Sequence, residues 1–152
     1  MIACTLLAAA LLATASAGAT VGLDKAAPNF TLPPFTSSAP VHLADYRGKV
    51  VLVDFWASWC SPCRQSLPLY DKLRRNFPAT DFAILAVNLD EESAAARAFL
   101  REHPVEYTTL QDPQGDVAKA YGLKGMPSSY LIDRDGIVRQ RPSQKRRSLS
   151  RA

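Results

Sequence analysis

The sequence predicts an α/β domain built on a central mixed sheet, and three observations carry that prediction. Residues 50–55 (VVLVDF) and 82–89 (FAILAVNL) are near-continuous apolar runs of strand length, as strands buried on both faces are. Between them, from Ser61 onward, Leu67, Tyr70, Leu73 and Phe77 recur at spacings of three and four, which gives one apolar helical face. Downstream, residues 128–132, a turn over 133–136 (DRDG) and residues 137–141 read as a hairpin that adds antiparallel strands. A strand–helix–strand order of this kind makes a right-handed parallel crossover. With 152 residues the chain is long enough for one domain with a real core, and 47% hydrophobic with 21% charged residues is ordinary globular composition.

Taken in order, residues 2–17 are apolar or small, carry no charge and end in Ala15-Ser16-Ala17. The run is shorter than the ~20 residues of a comfortable membrane span and reads as an export signal over 1–17, cleaved before Gly18. An uncleaved membrane anchor is the alternative, because no Lys or Arg precedes the apolar run. Cys4 lies near the start of that run, not after it, and reads as a small leader residue. The domain proper is then 18–141. Its first part, 18–49, is a loop-rich extension broken by Pro28, Pro33, Pro34 and Pro40. Phe30 with Leu32, and Val41 with Leu43, alternate with polar residues and predict two short strands around a turn at 36–39.

In the helix that starts at Ser61, Pro62 occupies the first turn, where a missing N–H costs nothing. Pro68 falls inside and is expected to kink it. Asp90 is placed to cap a helix over 91–102, with acids in the first turn and Arg97 and Arg101 toward the end. Residues 105–110 predict a short strand, and Asp112-Pro113 opens a further helix through Tyr121, closed by Gly122.

The formal net charge of +4 belongs to one end of the chain. Residues 139–152 hold six of the 18 Lys and Arg and none of the 14 acids, so the body is near neutral. No basic face interleaved with aromatics appears there, which argues against nucleic acid as a partner. The basic tail over 142–152 has Leu149 as its one large apolar residue and cannot form an amphipathic helix.

Chemistry concentrates at Cys60 and Cys63, separated by Ser61 and Pro62, where the first strong strand meets its helix. Disulfide exchange needs a thiolate, whereas a free thiol with a pKa near 8.5 is mostly protonated at neutral pH. Unpaired N–H groups and the dipole at a helix N-terminus favour the negative charge. Cys60 would be outermost and open to attack; Cys63, one turn in, would resolve the mixed disulfide. Trp59 is expected to shield the pair on one side. A zinc site would need four ligands, and beyond the leader only His42 and His103 accompany the pair, neither at ligand spacing. Attached haem would need His directly after Cys63, where Arg64 stands. No metal and no bound cofactor are expected.

Asp54 lies inside the apolar run, where an ionised carboxylate is costly. Strand alternation allows it to sit beneath the cysteine pair, where desolvation would raise its pKa and let it accept the Cys63 proton. The competing reading is an Asp at a strand edge, bonded to backbone. Pro127 opens a predicted strand, a position that permits either peptide isomer.

The stretch VDFWASWCSPC, Pro68 within the helix and GMPSS before the third strand together resemble the thioredoxin superfamily. APNFTLPP…VHLADYRGKVVLVDFWASWC and the segment 90–122 are similar to its exported TlpA/ResA branch of thiol–disulfide oxidoreductases, and the match runs over about 26–141. The resemblance implies a thioredoxin-like sandwich with Cys60 as nucleophile, Cys63 as resolving thiol and Asp54 as buried acid. It also implies a cis Met126–Pro127 bond packed against the disulfide, with the Met126 backbone, Trp59 and Pro62 meeting an extended client peptide. The implied partners are protein thiols or disulfides and an upstream membrane electron donor. The implied place is the cell envelope, facing out from the membrane, and the implied state a monomer. Reduction of client thiols, such as those of apocytochromes c, is the commoner role in the branch.

Two departures stand out. Many members of the branch carry Glu three residues after the second cysteine, where this chain has Ser66, which shifts proton transfer onto Asp54. Members also follow the hairpin with a glycine turn and a sheet-covering helix, whereas this chain reads SQKRRSLSRA. Burying three Leu-sized side chains is worth roughly 5–9 kcal/mol before entropy, against a net stability of about 5–15 for a whole domain. A missing or aberrant C-terminal helix and a weakened domain are therefore expected, and a high, cooperative melting transition would contradict that. A membrane- or nucleic-acid-binding arm is the competing reading of the tail. Two other functional classes remain: a peroxiredoxin-like peroxidase, for which Val53 and Ala57 stand where Pro and Thr or Ser are wanted, and a non-catalytic binding module on the same fold.

Overall fold

A computed structural model of the chain describes residues 21–141. The expected leader over 1–17 and the basic tail over 142–152, with the helix loss inferred from it, lie outside the described residues.

Within the described residues, seven strands and three α-helices follow one another. A two-residue hairpin, β1 (Thr31–Leu32) with β2 (Val41–His42), stands where the alternating pattern predicted it and pairs antiparallel. Leu43–Tyr46 then makes a short 3-10 turn. β3 (Val50–Trp56), α1 (Ser61–Arg75) and β4 (Phe82–Asn88) form the parallel crossover, followed by α2 (Ser93–Glu102) and β5 (Thr108–Gln111). α3 (Asp116–Ala120), β6 (Ser128–Ile132) and β7 (Val138–Gln140) complete the described chain. The main sheet has the order β5-β4-β3-β6-β7, with β3, β4 and β5 parallel and β6 and β7 antiparallel. It is the mixed sheet that the apolar runs and hairpin predicted, and its most apolar strands are central.

Alternation along β3 sorts the core into two layers. Val51, Val53 and Phe55 join Leu85, Val87, Tyr121, Tyr130 and Ile132 on one face, which α3 and the N-terminal extension cover. Trp56 joins Ile84, Ala86, Leu67, Phe99 and both cysteines on the other, under α1 and α2. The extension laces the sheet at both edges: Ala26 bridges Ile137 beside β7, and Pro34 bridges Leu110 on β5.

Several boundaries differ from the sequence expectations. α2 begins at Ser93, and Glu92, not Asp90, is its N-cap residue, without a side-chain bond. Asp90 is engaged elsewhere, as described below. The helix expected from Asp112 is reduced to the five residues of α3, because Gly115 adopts a left-handed φ of 66° and ends the preceding turn first. Asp112 still caps it, accepting from the N–H groups of Asp116, Val117 and Ala118 at 3.0, 3.1 and 3.1 Å. Phe77 falls beyond the last turn of α1 and packs edge-on against Phe82 instead. Pairing of β5 starts only at Thr108, and the last strand is trimmed to three residues.

Candidate active site

β3 delivers the chain to the mouth of α1, and the site is built at that junction. Cys60 is the N-cap residue of the helix and Cys63 lies in its first turn. Their sulfurs are bonded at 2.01 Å, with Cα atoms 5.3 Å apart. The Cys63 N–H donates to Cys60 Sγ at 3.3 Å, so the sulfur itself occupies the place of a capping oxygen. A negative charge on that sulfur would face the positive end of the helix dipole. Cys60 retains 6% exposure and Cys63 none, which makes Cys60 the sulfur that a second molecule can reach. Pro62 is exposed in the first turn, where its missing N–H is harmless.

Trp59, the residue before Cys60, is 71% exposed, and Ser58 before it is tied down. The Asp90 carboxylate accepts from Ser58 N–H at 2.9 Å, from Ser58 Oγ at 2.8 Å and from Asn88 Nδ2 at 2.7 Å. The buried indole is Trp56, tilted against Phe99 at 5.7 Å between ring centres.

Across the sheet, the Met126–Pro127 bond is cis, and Met126 is half-buried against the cluster that contains both cysteines. Ser128 Oγ closes this loop by donating to the Gly125 carbonyl at 2.6 Å.

Asp54 is fully buried in the middle strand of the sheet, which removes the strand-edge alternative. Alternation with Trp56 puts it on the face that α1 covers, the face of Cys63 and Leu67. Ser129 Oγ donates to Asp54 Oδ1 at 2.6 Å, whereas Oδ2 is buried and has no hydrogen-bond partner among the described residues. Burial pushes the Asp54 carboxyl up to about 7, with the Ser129 hydrogen bond acting in the opposite direction. Tyr70, from α1, lies 2.9 Å from Ser129 Oγ through its hydroxyl. Ser66 turns its hydroxyl to the Cys63 carbonyl at 2.9 Å, so it offers the sulfur no base.

The two histidines stay apart from the sulfurs in their contacts. His42 Nδ1 pairs with Thr31 Oγ1 at 2.7 Å, and His103 stacks on Phe99. No group of three or more metal-ligating side chains occurs among the described residues. Nor is any described helix long and apolar enough to cross a membrane.

Sequence reasoning placed the cysteines, Asp54, Met126 and Pro127 around one helix mouth, but missed Asp90 as the tether of Ser58 and missed Tyr70 and Ser129 entirely. The sequence pattern puts Tyr70 on the apolar face of its helix, and Ser129 belongs to a strand whose register against β3 no local pattern fixes. The signal that could have found Ser129 is parity: it shares its face with Leu131, which packs on the same cluster as the cysteines.

Comparison with known proteins agrees with this geometry. Residues 23–141 match the AhpC/TSA family. The thiol–disulfide oxidoreductase ResA of Bacillus thuringiensis subsp. konkukian is 32% identical over 118 residues, spanning 78% of this chain and 68% of that protein. A Chlorobium tepidum protein assigned as a DsbE-type thiol:disulfide interchange protein superposes with a TM-score of 0.76 at 44% identity, over 80% of this chain and 85% of that one. The thioredoxin domain of a Bacteroides vulgatus thiol–disulfide oxidoreductase gives 0.75 at 27% identity, over 82% and 90%. With a bonded cysteine pair at the helix mouth and this sheet order, the chain belongs to the AhpC/TSA family, as a ResA-type thiol–disulfide oxidoreductase of the thioredoxin superfamily.

Proposed function

We propose that the protein passes two electrons between the Cys60–Cys63 couple and cysteines of client proteins in the cell envelope, acting as a reductant. The observation that carries this reading is the capped sulfur: Cys60 Sγ accepts the first-turn N–H of Cys63 and is the more exposed of the two. In the reduced form, the Cys60 thiolate attacks a client disulfide, forms a mixed disulfide and expels one client thiolate. The Cys63 thiol gives its proton to the Asp54 carboxylate, and the resulting thiolate attacks Cys60 Sγ. The Cys60–Cys63 bond forms, the second client sulfur leaves as a thiolate, and the client has gained both electrons. Running the steps backward, with a membrane electron donor, restores the dithiol.

Trp59 and Pro62, exposed at the mouth, and the Met126–Pro127 loop supply the docking surface for an extended peptide, which pairs with the Met126 backbone as an added strand. The apolar run that ends in the small-residue pattern Ala15-Ser16-Ala17 supports export, and the ResA likeness supports apocytochrome c thiols as clients. The chemistry calls for no cofactor or metal beyond the two sulfurs.

Three measurements test this reading. Insulin-disulfide reduction is expected from the native chain and is lost in Cys60→Ser, whereas Cys63→Ser accumulates a mixed disulfide with its client. Activity that survives Cys60→Ser would overturn it, and absence of activity in the native chain would favour a binding module. A potential well below about −200 mV marks a reductant, and one near −120 mV an oxidant. Peroxide consumption by Cys63→Ser is expected to be negligible, since Val53 and Ala57 are buried apolar residues with no hydroxyl to hold a peroxide.

A further inference from the structure

Three hydroxyl and carboxyl groups from three elements form one hydrogen-bonded line behind the disulfide. Asp54 on β3 and Ser129 on β6 are directly opposed in the sheet register, and Tyr70 reaches down from α1. A serine hydroxyl has one proton to donate, and an ionised carboxylate can only accept. The Ser129 proton is therefore committed to Asp54 Oδ1, and Tyr70 is the donor to Ser129. This order leaves the two carboxylate oxygens unequal: Oδ1 is held at 2.6 Å, and Oδ2 is buried with no partner among the described residues.

We propose that Ser129, aligned by Tyr70, is a positioning residue that pins Asp54 Oδ1 and leaves Oδ2 as the atom that takes the Cys63 proton. The inference rests on the reading of Asp54 as proton acceptor and deepens it. Among the described residues, no further carboxylate or amine hydrogen-bonds to Asp54 or Ser129. On the face of the sheet that carries Asp54, α1 contributes Cys63 and Tyr70; from the segment before β5 comes Tyr107, whose hydroxyl donates to the Leu67 carbonyl at 3.0 Å. β4 places Ala86 opposite Asp54 and contributes no titratable group. Ser129 also opposes burial, which by itself would keep the carboxyl protonated and useless as a base. A hydrogen bond to a charged group is strong enough to move that balance by about one pH unit.

The test is the single-turnover rate at which Cys63 resolves a preformed Cys60–client mixed disulfide, followed against pH in the full chain. Ser129→Ala is expected to move the acid limb upward by about one pH unit, a roughly tenfold slower rate at its foot, and to rejoin the native rate at alkaline pH. Tyr70→Phe, which keeps the ring, moves the limb the same way by less. Ser129→Thr restores it. In an Asp54→Asn background, Ser129→Ala should add nothing. If Asp54→Asn resolves at the native rate, the role of Asp54 itself falls. A slow Asp54→Asn with native profiles for Ser129→Ala and Tyr70→Phe overturns this inference alone, as does a loss that is equal at every pH.

Discussion

Asp54 shows what a single side chain imposes on the protein that carries it. Its carboxyl has an ordinary value of 3.8 and is pushed up to about 7 by burial. The folded state therefore binds this proton more tightly than the unfolded chain does. Stability from the protonated form is fully present below pH 4 and is lost as pH rises through about 7. The loss amounts to about 4 kcal/mol at pH 8. Asp54→Asn, which has no proton to lose, should gain on the native chain by about that amount between pH 4 and pH 8, read from denaturant melts at both. A difference that does not change with pH would contradict the burial argument. The protein thus holds a costly group in its central strand, which fits the role proposed for it as a proton acceptor.

At the scale of elements, the loop between β3 and α1 owes its shape to a residue from the end of another strand. Asp90 follows β4 and holds Ser58 by both N–H and hydroxyl, which fixes the approach to Cys60. Asp90→Ala should cost about 2–3 kcal/mol in denaturant melts and speed amide exchange at Ser58 selectively. Asp112→Ala removes the cap of α3 and should cost about 1–2 kcal/mol without touching exchange at Ser58. These two acids also mark how far the sequence could be read. Both looked like helix caps, since Asp before a helical run is a cap signal. Asp112 is one, because the chain turns back directly onto its carboxylate. Asp90 is not, because the parallel pairing of β3 and β4 brings Ser58 to it, and that contact spans 32 positions. Local signals such as apolar runs, Pro62 and the Cys60–Cys63 spacing were legible. Contacts that depend on strand register, including Asp54 with Ser129, were not.

For the molecule as a whole, β3 is the common support. Its one face carries Val51, Val53 and Phe55 into the larger cluster, where Phe55 meets Tyr121 and Tyr130 edge-on at 5.4 and 5.9 Å. Phe55→Ala should cost about 3–5 kcal/mol, much of the ~5–15 that a domain has, and be seen as a sharply lowered melting temperature. The strand's alternate face and its far end carry Asp54 and the approach to the sulfurs. Because β3 and β4 run parallel, every strand start in that pair lies at the pole opposite the redox couple, a strand length of roughly 20 Å away. The loop at 78–80, just ahead of β4, is exposed at that pole. A surface linker or fluorescent reporter attached there would leave docking and electron exchange undisturbed, which makes this loop the natural handle for fixing the protein to an electrode.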